Sequence, residues 1–133
     1  RFTVGMRRQG QRRQSSPPNP WESGWLFFRY QGEGRSYYLA HKTNGLELGK
    51  LSPPAGVGQI FLVTTAAPVA EQGRWYEYRV EVRGPTIDVY VDGQLYITYT
   101  DPDPLLSGQV GIYTEDARVE FRQPAVVALP AER

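Results

Sequence analysis

The sequence predicts an all-β fold built as an antiparallel two-sheet sandwich, and three observations predict it. Helical periodicity is missing. No window of ten or more residues keeps apolar side chains at i, i+3, i+4 and i+7 without meeting a glycine or proline. Short stretches rich in β-branched and aromatic residues recur instead, with nine tyrosines among them. Turn signals, drawn from 14 glycines and 11 prolines, separate these stretches every eight to twelve residues or so.

The elements follow in order. Phe2 to Arg8 alternates loosely and reads as a strand. Residues 10–20 are a polar Gln/Arg/Ser/Pro stretch, and 9–23 is expected to be a mobile loop. Trp25 to Tyr30 is a strand that is apolar on both faces. Gln31-Gly32-Glu33-Gly34 turns the chain into a strand from Ser36 to Lys42. Thr43-Asn44-Gly45 is a hairpin turn, because Asn-Gly accepts positive φ. Leu46 to Leu51 returns, Pro53-Pro54-Ala55-Gly56 breaks the chain, and Gln59 to Thr65 is a buried strand. A loop through Pro68 and Gly73 follows.

The second half alternates more cleanly. From Trp75 to Arg83, Tyr76, Tyr78, Val80 and Val82 share one face. Trp75, Glu77, Arg79, Glu81 and Arg83 share the other. Gly84-Pro85 turns into Thr86 to Val91, and Asp92-Gly93 makes a two-residue hairpin turn. Gln94 to Thr100 continues with Leu95, Ile97 and Tyr99 on one face. Asp101-Pro102-Asp103-Pro104 cannot be strand interior, since two prolines remove ladder donors. Gln109 to Thr114 and Ala117 to Phe121, extending toward Val127, complete about ten strands.

At 133 residues the chain fits one domain, 1–133, with enough length for a core of its own. The absence of cysteine excludes a disulfide scaffold, a thiol nucleophile and cysteine-ligated metals. A single histidine makes zinc an unlikely choice as well. Net charge is +1, where a dedicated nucleic-acid binder would be strongly basic, so no nucleic-acid partner is expected. No apolar run reaches the length of a membrane span. Arg1, Arg7, Arg8, Arg12 and Arg13 all precede the first acid, Glu22. They suit either an anionic partner or a solvated edge kept soluble by charge. The start at Arg1 is expected to reflect an excised or N-terminally shortened part of a larger protein.

Three stretches carry a resemblance. They are the strand opened by Trp75, the hairpin Ile87-Asp88-Val89-Tyr90-Val91-Asp92-Gly93-Gln94-Leu95, and Gly108-Gln109-Val110-Gly111-Ile112-Tyr113. Gly24-Trp25-Leu26-Phe27-Phe28-Arg29-Tyr30-Gln31 and Tyr37 through Lys50 are similar too, so that roughly residues 24–122 are covered. The chain resembles the concanavalin A-like lectin/glucanase superfamily, which includes laminin G-like modules. Within it, the chain looks most like bacterial 3-keto-disaccharide hydrolase-type domains. The resemblance implies a jelly-roll sandwich in a secreted or periplasmic bacterial protein. Its motifs are structural, so they specify the fold more than an activity.

Retaining glucanases of that superfamily carry E-x-D-x-x-E, which sets two carboxylates about 5 Å apart. The motif is missing here. Glu77 and Glu81 share a strand face, but at roughly 3.4 Å per residue their Cα atoms lie about 13 Å apart. Arg79-Val80-Glu81-Val82-Arg83 resembles the R-x-E-x-R element of jelly-roll alginate lyases. An enzyme on that pattern would use Glu77, Arg79, Glu81, His41 and Tyr113, with Tyr113 as acid and base. His41 departs from it by following Ala40 instead of Gln-Ile. The competing reading is a charge ladder on a solvated sheet face. Asp101 and Asp103, with Asp92 or Asp116, are candidate ligands for a structural calcium, or else caps of a proline-rich turn. No other cofactor is expected, and neither a dinucleotide fingerprint, a P-loop nor a nucleophile elbow is present.

Aromatic residues exceed what a core of this size needs. Stacking of sugar C–H faces on rings, with polar groups around the rim, is the chemistry such a surplus suits. Strand alternation places Tyr90 and Tyr96 outward and sets Trp75, Glu77 and Arg79 on an outer face. Arg29, His41 and Lys42 are expected to join that face from neighbouring strands. The candidate ligand-binding set is therefore Arg29, His41, Trp75, Glu77, Arg79 and Tyr96. The expected function is a carbohydrate-binding or accessory domain for a polysaccharide or oligosaccharide. The alternatives are a glycoside hydrolase or polysaccharide lyase using the same face, and a structural or protein-interaction sandwich.

Overall fold

A computed structural model describes residues 1–32, 34–52 and 58–130. The expected break at Pro53-Pro54-Ala55-Gly56, and Glu33 of the expected turn, lie outside the described residues. Among the described residues there are ten strands: β1 (Phe2–Gln11), β2 (Gly24–Gly32), β3 (Arg35–Lys42), β4 (Gly45–Leu51), β5 (Gln59–Thr64), β6 (Trp75–Arg83), β7 (Thr86–Val91), β8 (Gln94–Thr100), β9 (Gln109–Thr114) and β10 (Ala117–Val126). They form two five-stranded sheets, ordered β10-β1-β6-β7-β8 and β5-β4-β3-β2-β9. Every pairing is antiparallel. Among the described residues there is no helix, and so none long and apolar enough to cross a membrane. The all-β sandwich expected from alternation is the fold observed.

The two inner faces share one core. Phe2, Val4 and Met6 of β1, Tyr76, Tyr78 and Val80 of β6, and Ile87, Val89 and Val91 of β7 meet Leu26, Phe28, Tyr37, Leu39, Leu46 and Leu48. Burying each such side chain contributes about 1.5–3 kcal/mol. The core face expected for the Trp75–Arg83 strand is the one observed. Asp92 (φ 51°) and Gly93 (φ 81°) both adopt the left-handed conformation, as a two-residue primed hairpin turn requires.

A buried polar knot fastens the proline-rich turn after β8 to the opposite sheet. Asp101 accepts from the Tyr37 hydroxyl at 2.6 Å, the Lys50 ammonium at 2.9 Å and the Asp103 backbone N–H at 2.9 Å. Tyr37 in turn accepts from the Leu105 N–H at 3.0 Å. Lys50 and Asp101 are both buried.

One expectation about the chain path changes. The strand expected to end at Arg8 continues to Gln11, because a bulge at Arg8/Gly10 lets β1 stay paired with β10 as far as Ala117. The stretch that follows is bonded at both ends. The Arg12 N–H donates to the Asp116 carbonyl at 2.6 Å. The fully buried Glu22 carboxylate accepts from Arg13 Nε at 2.7 Å and from the Asn19 N–H at 2.5 Å. Arg13 holds this carboxyl down to about 2, well below the usual carboxylate value.

Bulges also shift alternation within two strands. In β8 the partners run Val89↔Ile97 and then Tyr90↔Leu95, so one residue is extra. Tyr96 consequently packs against the core, whereas Leu95 is left exposed. The outward placement of Tyr96 is corrected accordingly. In β2, Arg29 takes φ 51° and the pairing slips with both neighbours.

Candidate functional site

An aromatic surface lies on the outer face of the β5-β4-β3-β2-β9 sheet. Alternation in β2 turns Leu26 and Phe28 into the core and leaves Trp25 and Phe27 outside. Trp25 stacks on Tyr38 of β3, with ring centroids 4.9 Å apart and planes at 25°. Tyr113 of β9, the register partner of Trp25, meets the indole edge-on at 5.7 Å. Tyr38 lies flat across the sheet because Gly49 stands opposite it in β4. A Cβ at position 49 would come within 2.1 Å of the Tyr38 ring.

Hydrogen-bonding groups ring this aromatic floor. The Tyr38 hydroxyl donates to Glu47 at 2.5 Å and accepts from the Gln59 amide at 2.7 Å. Lys42 pairs with the other Glu47 oxygen at 3.2 Å. The Tyr113 hydroxyl donates to Glu115, which pushes the phenol up to about 12. Burial first, and then Glu47, push the Tyr38 phenol above its ordinary range, so both phenols stay protonated near neutrality. Trp21, Trp25, Glu47, Gln59, Phe61 and Glu115 line an open groove of about 350 Å³. Its walls are exposed, Trp21 at 46% and Phe61 at 66%, so the strand expected to be buried from Gln59 is corrected: as an edge strand it is mostly open to solvent. The Trp25 N–H is already satisfied by the Trp21 carbonyl at 2.8 Å and the residue is 8% exposed, so what the indole offers a ligand is the small open part of its ring. An apolar floor with carboxylate and amide groups at its rim suits a flat ligand with one apolar face and hydroxyl edges.

The residues expected to form the site are dispersed over the molecule. Trp75, Glu77, Arg79 and Glu81 do share the outer face of the β10-β1-β6-β7-β8 sheet, but that face is internally paired. Trp75 carries guanidiniums of Arg7 and Arg122 at 4.8 and 4.2 Å from its ring. Arg122 also binds Glu77 at 2.5 Å. Arg79 covers Tyr90 at 3.7 Å and binds Glu81 at 2.5 Å. Arg29, His41 and Lys42 belong to the opposite sheet, so the expectation that they join Trp75 is corrected by strand order. The Arg29 guanidinium donates to carbonyls of Leu105 at 2.8 Å and Gly84 at 3.1 Å. Of the five residues expected for an enzyme, Tyr113 alone borders the groove, and it lies on the sheet opposite Glu77, Arg79 and Glu81. These five residues therefore do not converge.

His41 sits between the sheets with 1% of its surface exposed. A carbonyl can only accept, so Nε2 carries the hydrogen and donates to Pro68 O at 3.0 Å. Nδ1 then accepts from the Tyr78 hydroxyl at 2.5 Å. Burial lowers its pKa from 6.5 to about 4. An unfolded chain takes up that proton near pH 6.5 and the folded chain resists until about 4, so the neutral imidazole's contribution is complete above 6.5 and is lost as pH falls through this window. The expected loss is on the order of 3 kcal/mol between pH 7 and 4. Urea titrations across that range check it, and His41→Gln should flatten the profile.

The candidate calcium ligands do not gather either. Asp92 pairs with Arg74, and Asp116 lies near Arg13, apart from Asp101 and Asp103. Lys50 supplies the positive charge beside Asp101. Among the described residues no three His, Cys, Asp or Glu side chains cluster in a way that could hold a metal ion.

Glu47, Gln59, Phe61 and Glu115 were not singled out by sequence. One signal did point toward the groove: Trp25 to Tyr30 is apolar on both faces, although a sandwich strand has only one core side. The second apolar face is the floor of the site.

The fold is a jelly-roll sandwich of the concanavalin A-like class. The model of the 3-keto-alpha-glucoside-1,2-lyase-like domain matches residues 8–126, and the chain belongs to that family. Carbohydrate binding module CBM66 from Bacillus subtilis superposes with a TM-score of 0.74 at 17% identity, over 92% of this chain and 71% of that one. A human galectin-16 variant superposes with a TM-score of 0.58 at 14% identity, over 91% and 86% of the two chains. Sheep galectin-11 in complex with glycerol gives 0.55 at 14% identity, over 91% and 89%. Comparison with curated proteins gives no match.

Proposed function

We propose that the chain binds a carbohydrate, as a polysaccharide or oligosaccharide, in the groove over Trp25. The observation that carries this reading is the contrast between the two outer faces. On one, guanidiniums lie over Trp75 and Tyr90. On the other, Trp25 and its neighbours floor an open groove with Glu47, Gln59 and Glu115 at the rim. A sugar ring stacked on the indole would place its hydroxyls among these acceptors and the amide. The carbohydrate binding module and galectin neighbours support the reading through shared fold.

A second reading is an enzyme acting on the same sugar. It is favoured by Glu47 and Glu115 lining one groove, each accepting from a tyrosine, and by the lyase-like family name. A carboxylate held by a phenol can relay a proton, which elimination or hydrolysis at a sugar carbon requires. Glycan-array binding with no release of reducing ends or unsaturated sugars is the result expected for a binding domain. Turnover that is lost in Glu47→Gln or Glu115→Gln would establish the enzyme. Failure to bind or cleave any glycan would refute both readings and leave a structural or protein-interaction sandwich.

A further inference from the structure

The aromatic floor does not end at the groove. Tyr113 lies 5.6 Å from Phe27, and Phe27 lies 6.3 Å from Tyr30, so a row of rings runs from Trp25 along β2. Strict alternation would turn Tyr30 toward the core with Leu26 and Phe28, and would put Arg29 in the row. The bulge at Arg29 reverses this. The positive φ of 51° swings Arg29 to the carbonyls of Leu105 and Gly84 and returns Tyr30 to the side of Phe27, 40% exposed. A non-glycine residue held at positive φ persists only where its surroundings over-determine it, and such residues concentrate at functional sites. The surroundings here are built for it. Gly108, at φ 143°, packs so closely that a Cβ would lie 2.3 Å from the Arg29 backbone. Gly111 stands directly opposite Phe27 and carries no side chain, so the β9 ring that meets Phe27 is that of Tyr113, two residues further on.

We propose that Phe27 and Tyr30 form a distal subsite, so that the groove takes an oligosaccharide of three or more sugar units laid along β2. This rests on the carbohydrate reading of the groove and adds to it a length requirement and a direction. Trp25 would hold one unit, the Phe27–Tyr113 pair the next, and Tyr30 a third.

The test measures affinity by calorimetry for cello-, malto- and laminari-oligosaccharides of one to six units. Affinity for the series that binds should rise through the third unit and then level off. Tyr30→Ala should lower affinity for the hexasaccharide by about 3- to 10-fold, as loss of one stacking ring would, and leave the mono- and disaccharide unchanged. Tyr30→Phe should restore it. Tyr30 is a surface residue, so the variant's fold is readily confirmed by its unperturbed melting curve. Affinity that is already maximal for one unit, or a hexasaccharide affinity indifferent to Tyr30→Ala, overturns the distal subsite while the carbohydrate reading stands. No binding by any oligosaccharide overturns both.

Discussion

Asp101→Ala is expected to destabilise the protein by about 3–5 kcal/mol, the cost of leaving one member of a buried ion pair alone. The Asp101 carboxylate gathers three donors, namely the Tyr37 hydroxyl, the Lys50 ammonium and the Asp103 N–H. Removing it strands an ammonium whose side chain is 7% exposed, with the Asp103 carbonyl and the Tyr37 ring as its remaining partners. The loop from Asp101 to Leu105 would loosen with it, because Leu105 is held by Tyr37 and itself holds Arg29. Asp101→Asn should cost less, since it keeps the shape and two of the hydrogen bonds. The double variant Asp101→Leu/Lys50→Met should recover much of the loss, because buried pairs replaced by apolar groups of similar size are often nearly neutral. Urea unfolding of the wild type and the three variants measures these differences. A single-variant loss under about 1 kcal/mol would show that solvent screens the pair.

Trp25→Ala should abolish carbohydrate retention, with affinity falling by about 100-fold or more, as for a central aromatic anchor. The indole supplies the floor, and Tyr38 and Tyr113 are both positioned against it. Because Trp25 is itself buried, only 8% exposed, the same change costs stability, about 3–5 kcal/mol for a tryptophan cut to alanine. Trp21→Ala separates the two effects: Trp21 is exposed on the groove wall, so the variant should fold normally and still bind about tenfold more weakly. Trp75→Ala is the control on the opposite face. It removes a ring covered by Arg7 and Arg122 and should leave binding within twofold or so, as for residues outside the binding hot spot. Retention lost in Trp75→Ala and kept in Trp21→Ala would move the site to the other sheet.

Much of the fold is legible in the residues themselves, because strand formation and turning are local. Alternation from Trp75 to Arg83 marks its core face, and Asp92-Gly93 announces its hairpin through tolerance of positive φ. The site was legible only as an excess: a strand with aromatics on both sides, and more tyrosines than the core uses. Of its members only Tyr113 was a candidate, because the set comes from β2, β3, β4, β5 and β9 and from the loops at Trp21 and Glu115. Glu47 reads in isolation as one polar position between two leucines. Only Gly49, by letting Tyr38 lie flat, brings a phenol to it.

Sequence by itself determined the all-β class, the ten strands, their turns, and the absence of cysteine chemistry. Tertiary structure decided which strands share a sheet, and that choice separated Arg29, His41 and Lys42 from Trp75. It also decided where alternation breaks. A bulge is the product of pairing with a neighbour, so the inward turn of Tyr96 and the outward turn of Tyr30 appear only once β7, β8, β2 and β9 are side by side.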